Sequence, residues 1–401
     1  MPTVHPLAAP PAPGAPAHPA VGAATGLLDA YRAGDRFLAT PTRTLLASGV
    51  RKELRSDAYR LPDDVRAALL DAARAGDSGA VVMGAVPFDP QAPAALVVPQ
   101  RVRSGPALRT DPLVALEATA PAAADWSVTE VPAAEVYAEG VARAVERMGR
   151  GEFDKVVLAR SLELAAAGDL DLPAMLGRLA RRDPGGYTFA LPTGPGRTLL
   201  GASPELLVSR RGDRVVANPL AGSTPRSDDL AEDVLRAATL LRSAKDLHEH
   251  GVVVDAVARA MAPHCADLDV PARPTLIRTA TMWHLSTTVS GRPARPDVTA
   301  LEIASALHPT PAVCGTPTGV AREVIRETEP FDRGFFTGMV GWQDASGDGE
   351  WVVTIRCAEA EGRRLRLFAG AGVVEASDPA SETAETAAKF RTFLQAVGAA
   401  L

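Results

Sequence analysis

Two short stretches carry acids at helical spacing: Asp246 and Glu249 in KDLHEH, and Glu382 and Glu385, followed by Lys389, in ETAETAAK. Residues three or four apart share a helix face, so each stretch aims two carboxylates in one direction. Two such faces meeting would form an oxygen-rich site for a hard cation. Mg²⁺ takes one or two carboxylates directly and keeps waters that others can hold. Lys389, two turns beyond Glu382, could then meet an anionic group on a substrate. Taken singly, an acidic pair on a helix is ordinarily solvated surface.

Two further residues have types suited to proton transfer. Glu205 in GASPELLV is a carboxyl inside an apolar strand, where burial raises its pKa and lets it serve as a general acid. Lys155, followed by Val156, Val157 and Leu158, is the mirror case of a base made neutral by burial. The plain alternative for each is an outward-facing residue of a half-buried strand. Of the 42 basic residues only Lys52, Lys155, Lys245 and Lys389 are lysines, so lysine is kept where arginine would not serve.

FAGAGVV lacks the third glycine of a dinucleotide fingerprint. Gly370 and Gly372 mark a bend or let backbone N–H groups approach a carboxylate, and Gly222 and Ser223 in LAGST have the same double reading. His248 and His250 point about 200° apart on a helix and cannot easily chelate one ion, so packing or capping is their expected role. There is no GxSxG, Walker loop or HExxH.

The elements that must position these groups read as strands and helices in alternation. KVVLARSLEL is a strand with Lys155 at its start. RTLLGASPELLVSRRGDRVVANPLAGS reads as two strands joined by the turn RRGD. DVLRAATLLRSAKDLHEHGVVVDAVARAM is helical with a break near Ser243. WVVTIRCAEAEGRRLRLFAGAGVV is a hairpin around EAEGRR, and a last helix starts with Asp378 as N-cap and Pro379 at N1. Before these, VRAALLDAARAG is an amphipathic helix, and AVVMGAVPF and AALVVPQRV are strands. Antiparallel hairpins with helices between them make the class α+β.

Composition excludes several roles. The 401 residues are 46% hydrophobic, enough for a large core, yet no apolar run reaches the ~20 residues of a membrane helix. A net charge of −6 with scattered basic residues argues against nucleic acid or an anionic membrane as partner. Residues 1–20, rich in Pro and Ala, read as a disordered tail without a secretion signal. Cys265, Cys314 and Cys357 are odd in number and without CxxC, which suits buried thiols in a reducing cytosol.

Together the chain resembles the chorismate-utilising enzymes. The matching blocks are KVVLAR from Lys155, GASPEL, PLAGSTPR, SAKDLHEH, LHPTPAVCGTP, TIRC, GAGVV and SETAETAAK, in the family's order over residues 131–395. The resemblance implies two stacked antiparallel sheets flanked by helices, with the active site in the cleft between them. Residues 21–130 would form one integrated domain with the catalytic region 131–401.

It also implies roles. Glu249 and Glu385 would bind Mg²⁺ directly and Asp246 and Glu382 through water, although Asp246 is commonly Glu in the family. Arg356 would hold the enolpyruvyl carboxylate, with Lys389 and the backbone near Gly222, Ser223, Gly370 and Gly372 also binding carboxylates. Lys155 matches the base that activates water, and Glu205 the acid that protonates the departing hydroxyl. Phe336, Ile355 and Phe368 match apolar positions of the isochorismate synthases of catechol siderophore pathways, which LHPTPAVCG also resembles. Ala221 stands where aminodeoxychorismate synthases carry Lys, and LLASG at 45–49 where anthranilate synthases carry LLES. Salicylate synthase, anthranilate synthase component I and a non-catalytic chorismate-binding regulator are the alternatives. The expected enzyme is a cytoplasmic monomer acting on chorismate with Mg²⁺ and without a glutaminase subunit.

Overall fold

The computed structural model describes residues 20–116 and 126–399. The expected tail, except residue 20, lies outside them. Among the described residues the strands form three antiparallel sheets, of ten, nine and three strands. The first eight residues of the strand Lys155–Ala166 are all buried, so it is covered on both faces. It lies in the ten-stranded sheet and pairs along its length with Arg364–Val373, with Val157 opposite Gly372 and Ala159 opposite Gly370.

The two large sheets stack. Leu38, Leu45, Phe189 and Leu199 of one meet Met83, Ala85, Val340 and Trp342 of the other in a common apolar layer. Helices Leu172–Arg182 and Pro379–Val397 pack on the ten-stranded sheet, and Leu61–Arg74, Ala244–Met261 and Ala300–Leu307 on the nine-stranded one. Apolar residues at helical spacing supply these contacts, and their burial drives the stacking. The α+β expectation, with stacked antiparallel sheets, is met. The third sheet, Leu220–Pro225, Thr275–Arg278 and Met282–Ser286, was not foreseen.

Four expected strands are in fact broken, three of them where the chain passes from one large sheet to the other. Arg197–Ser203 belongs to the ten-stranded sheet and Leu206–Arg211 to the nine-stranded one. Gly349–Val353 and Cys357–Glu361 repeat the switch in reverse, and so do Ala95–Val98 and Arg101–Gly105 across Pro99. RVVANPLAGS is broken where Arg214–Asn218 of the nine-stranded sheet gives way to Leu220–Pro225 of the small one, so RTLLGASPELLVSRRGDRVVANPLAGS makes four strands rather than two. Hydrophobic periodicity cannot register these crossings, because the residues on either side are buried alike. The helix break at Ser243 is present: its side chain accepts the Asp246 N–H. Asp378 likewise accepts the Ser381 N–H ahead of the last helix.

Candidate active site

Two sheet crossings run side by side and place the first two groups. The Val353 N–H donates to the Glu205 carbonyl and the Ala202 N–H to the Arg356 carbonyl, both at 3.1 Å. Glu205 and Arg356 thus sit where the chain leaves one sheet for the other, with both side chains in the cleft. Burial pushes the Glu205 carboxyl up to about 7, against the opposing pull of the Leu220 N–H and the charges of Arg356, Lys155 and Lys389. Burial also brings Arg356 down to about 10, with Glu385 and Glu205 opposing, so it stays cationic at neutral pH. The Arg356 backbone has φ +50°, a left-handed conformation that non-glycine residues rarely adopt.

The two acidic helix faces do meet. Lys245 Nζ, on one helix, lies 2.6 Å from Glu382 Oε1 on the other. Lys155 Nζ stands 2.8 Å from Glu249 Oε1, off hydrogen-bonding angle and with no other partner among the described residues. Lys389 Nζ lies 2.5 Å from Glu385 Oε1 and donates to the Gly370 carbonyl at 2.8 Å. Three of the chain's four lysines therefore face the acids of this site, which gives the lysine count a structural meaning; Lys245 was not foreseen as part of it. Burial acts to raise the Glu385 carboxyl, but Lys389 and the Ser223 hydroxyl, 3.0 Å away, hold it below its ordinary value. Asp246 is raised, by burial and then by Glu249 and Glu385, against its bond with Ser243. Glu382 is raised by burial and by Glu385, against Lys245.

One cavity gathers twelve of the expected residues: Glu205, Gly222, Ser223, Glu249, Phe336, Ile355, Arg356, Phe368, Gly370, Gly372, Glu385 and Lys389 all line it. Lys155 lies behind Glu249, while Asp246 and Glu382 stand back from the cavity. Asp246 is engaged with Ser243 in the reciprocal cap that starts its helix. Gly222 has φ +78°, and a Cβ there would meet Asp246. Phe336 and Phe368 stack with centroids 4.9 Å apart and planes 9° from parallel.

His284 also lines the cavity and was missed. It is opposite Ser223 in the small sheet, and its Nε2 has no hydrogen-bond partner among the described residues. Burial, with Arg356 and Lys389 nearby, holds its pKa well below the usual value, so the ring is neutral. The polar residue inside the apolar strand MWHLS was the available signal. His250 is structural, as expected: it bridges the Ala221 carbonyl and the Thr287 hydroxyl. His248 is exposed.

The donor set suits a hard divalent cation. Glu249 and Glu385 reach one cavity and supply only oxygen, and a Cβ at position 372 would occupy the space that Glu249 uses. Among the described residues no three acidic or imidazole groups already converge as ligands; the acids are instead turned to Lys155, Lys245 and Lys389.

Fold and site together define a chorismate-binding enzyme, and the family model "Chorismate binding enzyme" matches residues 107–398. The chain belongs to this family. It is 54% identical over 384 residues to isochorismate synthase DhbC of Bacillus subtilis, covering 93% of this chain and 96% of that one. It is 43% identical to the vibriobactin-specific isochorismate synthase of Vibrio cholerae, over 90% and 91% of the two chains. The crystal structure of a proposed 2,3-dihydroxybenzoate-specific isochorismate synthase, DhbC, from Bacillus anthracis superposes with a TM-score of 0.88 at 48% identity, covering 94% of this chain and 99% of that one.

Proposed function

We propose that this chain is an isochorismate synthase, an isomerase that converts chorismate to isochorismate and feeds 2,3-dihydroxybenzoate and siderophore synthesis. The observation that carries the reading is a single cavity holding Glu205, raised to about 7, together with Glu249 and Glu385. The relatives named above support the product assignment.

Mg²⁺, held by Glu249 and Glu385 directly and by Asp246 and Glu382 through water, would supply positive charge to the substrate's carboxylate. Arg356 binds the enolpyruvyl carboxylate as a planar fork of donors. Lys389 and the backbone at Gly222, Ser223, Gly370 and Gly372 bind and orient the carboxylate groups. Lys155 takes a proton from water as its oxygen bonds to C2. The ring double bonds shift, the C4–O bond breaks, and Glu205 gives its proton to the departing hydroxyl, which leaves as water. One water enters and one leaves, so the net change is an isomerisation.

Phe336, Ile355 and Phe368 form an apolar wall with no proton donor, which favours release of isochorismate over the pyruvate elimination of a salicylate synthase. The enzyme acts as a cytoplasmic monomer, its residues 21–130 integrated with 131–401, and without a glutaminase subunit. Among the described residues no helix is long and apolar enough to cross a membrane, and the three buried, unpaired cysteines suit a reducing compartment. Product analysis after incubation with chorismate, with and without Mg²⁺, tests the proposal. Isochorismate formed only with Mg²⁺ is expected. Tight chorismate binding without turnover would instead make the chain a regulatory binder.

A further inference from the structure

We propose that the buried ion pair Glu329–Arg333, which does not touch the cavity, is a positioning device that completes a gap in the Lys155 strand and fixes the apolar wall of the site. Glu329 and Arg333 are four residues apart in the non-helical segment that follows the helix Thr318–Thr328, and both side chains are 2% exposed.

The edge of the Lys155 strand explains why the pair is there. One neighbour, Gly315–Thr316, pairs with Val156 and Lys155, and the Val157 N–H donates to the Cys314 carbonyl. The next neighbour, Trp126–Val131, begins pairing only at Ser161. Between them the strand has backbone groups with no strand beside them among the described residues. Arg333 donates to the Val157 carbonyl at 2.7 Å, and Glu329 accepts the Ala159 N–H at 2.8 Å. The ion pair therefore does the hydrogen bonding of a missing strand, two residues beyond Lys155.

The same guanidinium reaches two other walls. It donates to the Val313 carbonyl at 2.8 Å and to the Thr337 hydroxyl at 3.2 Å, and it lies 5.7 Å from the Phe336 ring centroid. Val157, Val313, Phe336 and Thr337 all line the cavity. Thr337 has φ +58°, a costly conformation for a β-branched residue, and such conformations persist only where surroundings over-determine them. Here Arg333 holds its hydroxyl and His308 its carbonyl. One buried cation thus ties the strand of Lys155 to the Phe336–Phe368 stack.

A merely stabilising pair and a positioning pair respond differently to replacement. Exchanging a buried ion pair for neutral groups of similar volume often leaves stability unchanged or raised. In Glu329→Gln/Arg333→Met, Gln still accepts the Ala159 N–H, while Val157, Val313 and Thr337 lose their donor. Arg333→Lys keeps the charge but cannot reach all three acceptors. Both variants should keep their melting temperature within a few degrees and bind Mg²⁺ by calorimetry as the parent does. We expect kcat to fall by roughly 10- to 100-fold in each, the scale of a small misplacement of reacting groups, with KM for chorismate within about threefold. Parental kcat in either folded variant overturns the inference and leaves the pair structural. Loss confined to melting temperature, in either variant, does the same. The inference rests on the proposed turnover: a parent inactive on chorismate overturns that activity and this inference with it, whereas an active parent with fully active variants overturns this inference alone.

Discussion

Gly372 and Glu249 cannot both keep their places if residue 372 carries a side chain: a Cβ there would fall 2.2 Å from Glu249 Oε1 and 3.2 Å from Lys155 Cε. The backbone at 372 is extended enough for any residue, so the requirement is for space and not for conformation. Gly372→Ala should leave the fold intact and weaken Mg²⁺ binding about 10- to 100-fold, the usual cost of disturbing a ligand's support. Calorimetric titration with Mg²⁺ checks this. Unchanged affinity would mean that the 249 side chain can swing aside without consequence.

The acids should divide into two classes. Glu249→Gln and Glu385→Gln remove groups that line the cavity, and either should lower turnover by at least ~10²-fold even at saturating Mg²⁺. Asp246→Asn and Glu382→Gln alter groups that stand behind, and the loss should be smaller, about 10-fold. Chelation of the metal should abolish the parent's activity, and added Mg²⁺ should restore it. Equal losses in all four variants would remove the distinction between direct and water-mediated ligands.

Glu205 sets a pH dependence with a definite sign. As the proposed general acid it would act while protonated, so turnover should fall as pH rises through about 7. Stability follows the same direction. The folded chain keeps a proton that the unfolded chain releases near the ordinary value of 4.5, so the contribution is full below that pH and is lost as pH rises towards 7. Glu205→Gln should therefore be nearly inactive, yet more stable than the parent above pH 7, by about 1–3 kcal/mol, and similar to it near pH 4. Denaturation at the two pH values measures the difference.

Lys155→Arg tests whether the buried lysine moves a proton. Arg keeps the charge opposite Glu249 but does not give up a proton near neutral pH. A rate loss of at least ~10²-fold is expected, the range for general base catalysis, with chorismate binding changed far less. Parental turnover in the Arg variant would assign the water's proton to another group.

Much of this site was legible because its chemistry sits in local spacing. Asp246 with Glu249 and Glu382 with Glu385 declare a shared helix face within four residues, and helix geometry alone predicts that much. Their meeting is a long-range fact that spacing cannot express; the order of eight family-like blocks supplied it. The crossings at 204–205 and 354–356 were hidden, because a strand buried in either sheet has the same apolar run. His284 escaped for a related reason: its strand belongs to a small sheet with no signature of its own, and a lone histidine among apolar residues is ordinarily a packed one. The Glu329–Arg333 pair has i, i+4 spacing in the sequence, but Pro330 between the two breaks a helix, so nothing local announces their contact. Only its burial against Val157 and Ala159 separates it from the surface pairs elsewhere in the chain.

In the proposed reading, product identity depends on the wall made by Phe336, Ile355 and Phe368. The two rings stack with nearly parallel planes, and neither carries a hydroxyl that could protonate an enolpyruvyl group. Elimination of pyruvate therefore lacks a donor on this side, and isochorismate should leave intact. The reaction should reach the same mixture of chorismate and isochorismate from either side, since one water enters and one leaves without another substrate. Adding ammonium should yield no anthranilate if water alone has access to C2. Chromatography of the products, started separately from chorismate and from isochorismate, measures the first point, and fluorescence of anthranilate the second. Stoichiometric pyruvate and salicylate near neutral pH would reassign the chain to salicylate synthesis, and fluorescence that appears only with ammonium would reassign it to anthranilate synthesis. Both results would leave the proposed roles of Glu205, Lys155 and the acidic pair to be judged by their own variants, because the proposal has those groups act on the ring and the metal and the apolar wall on the enolpyruvyl arm.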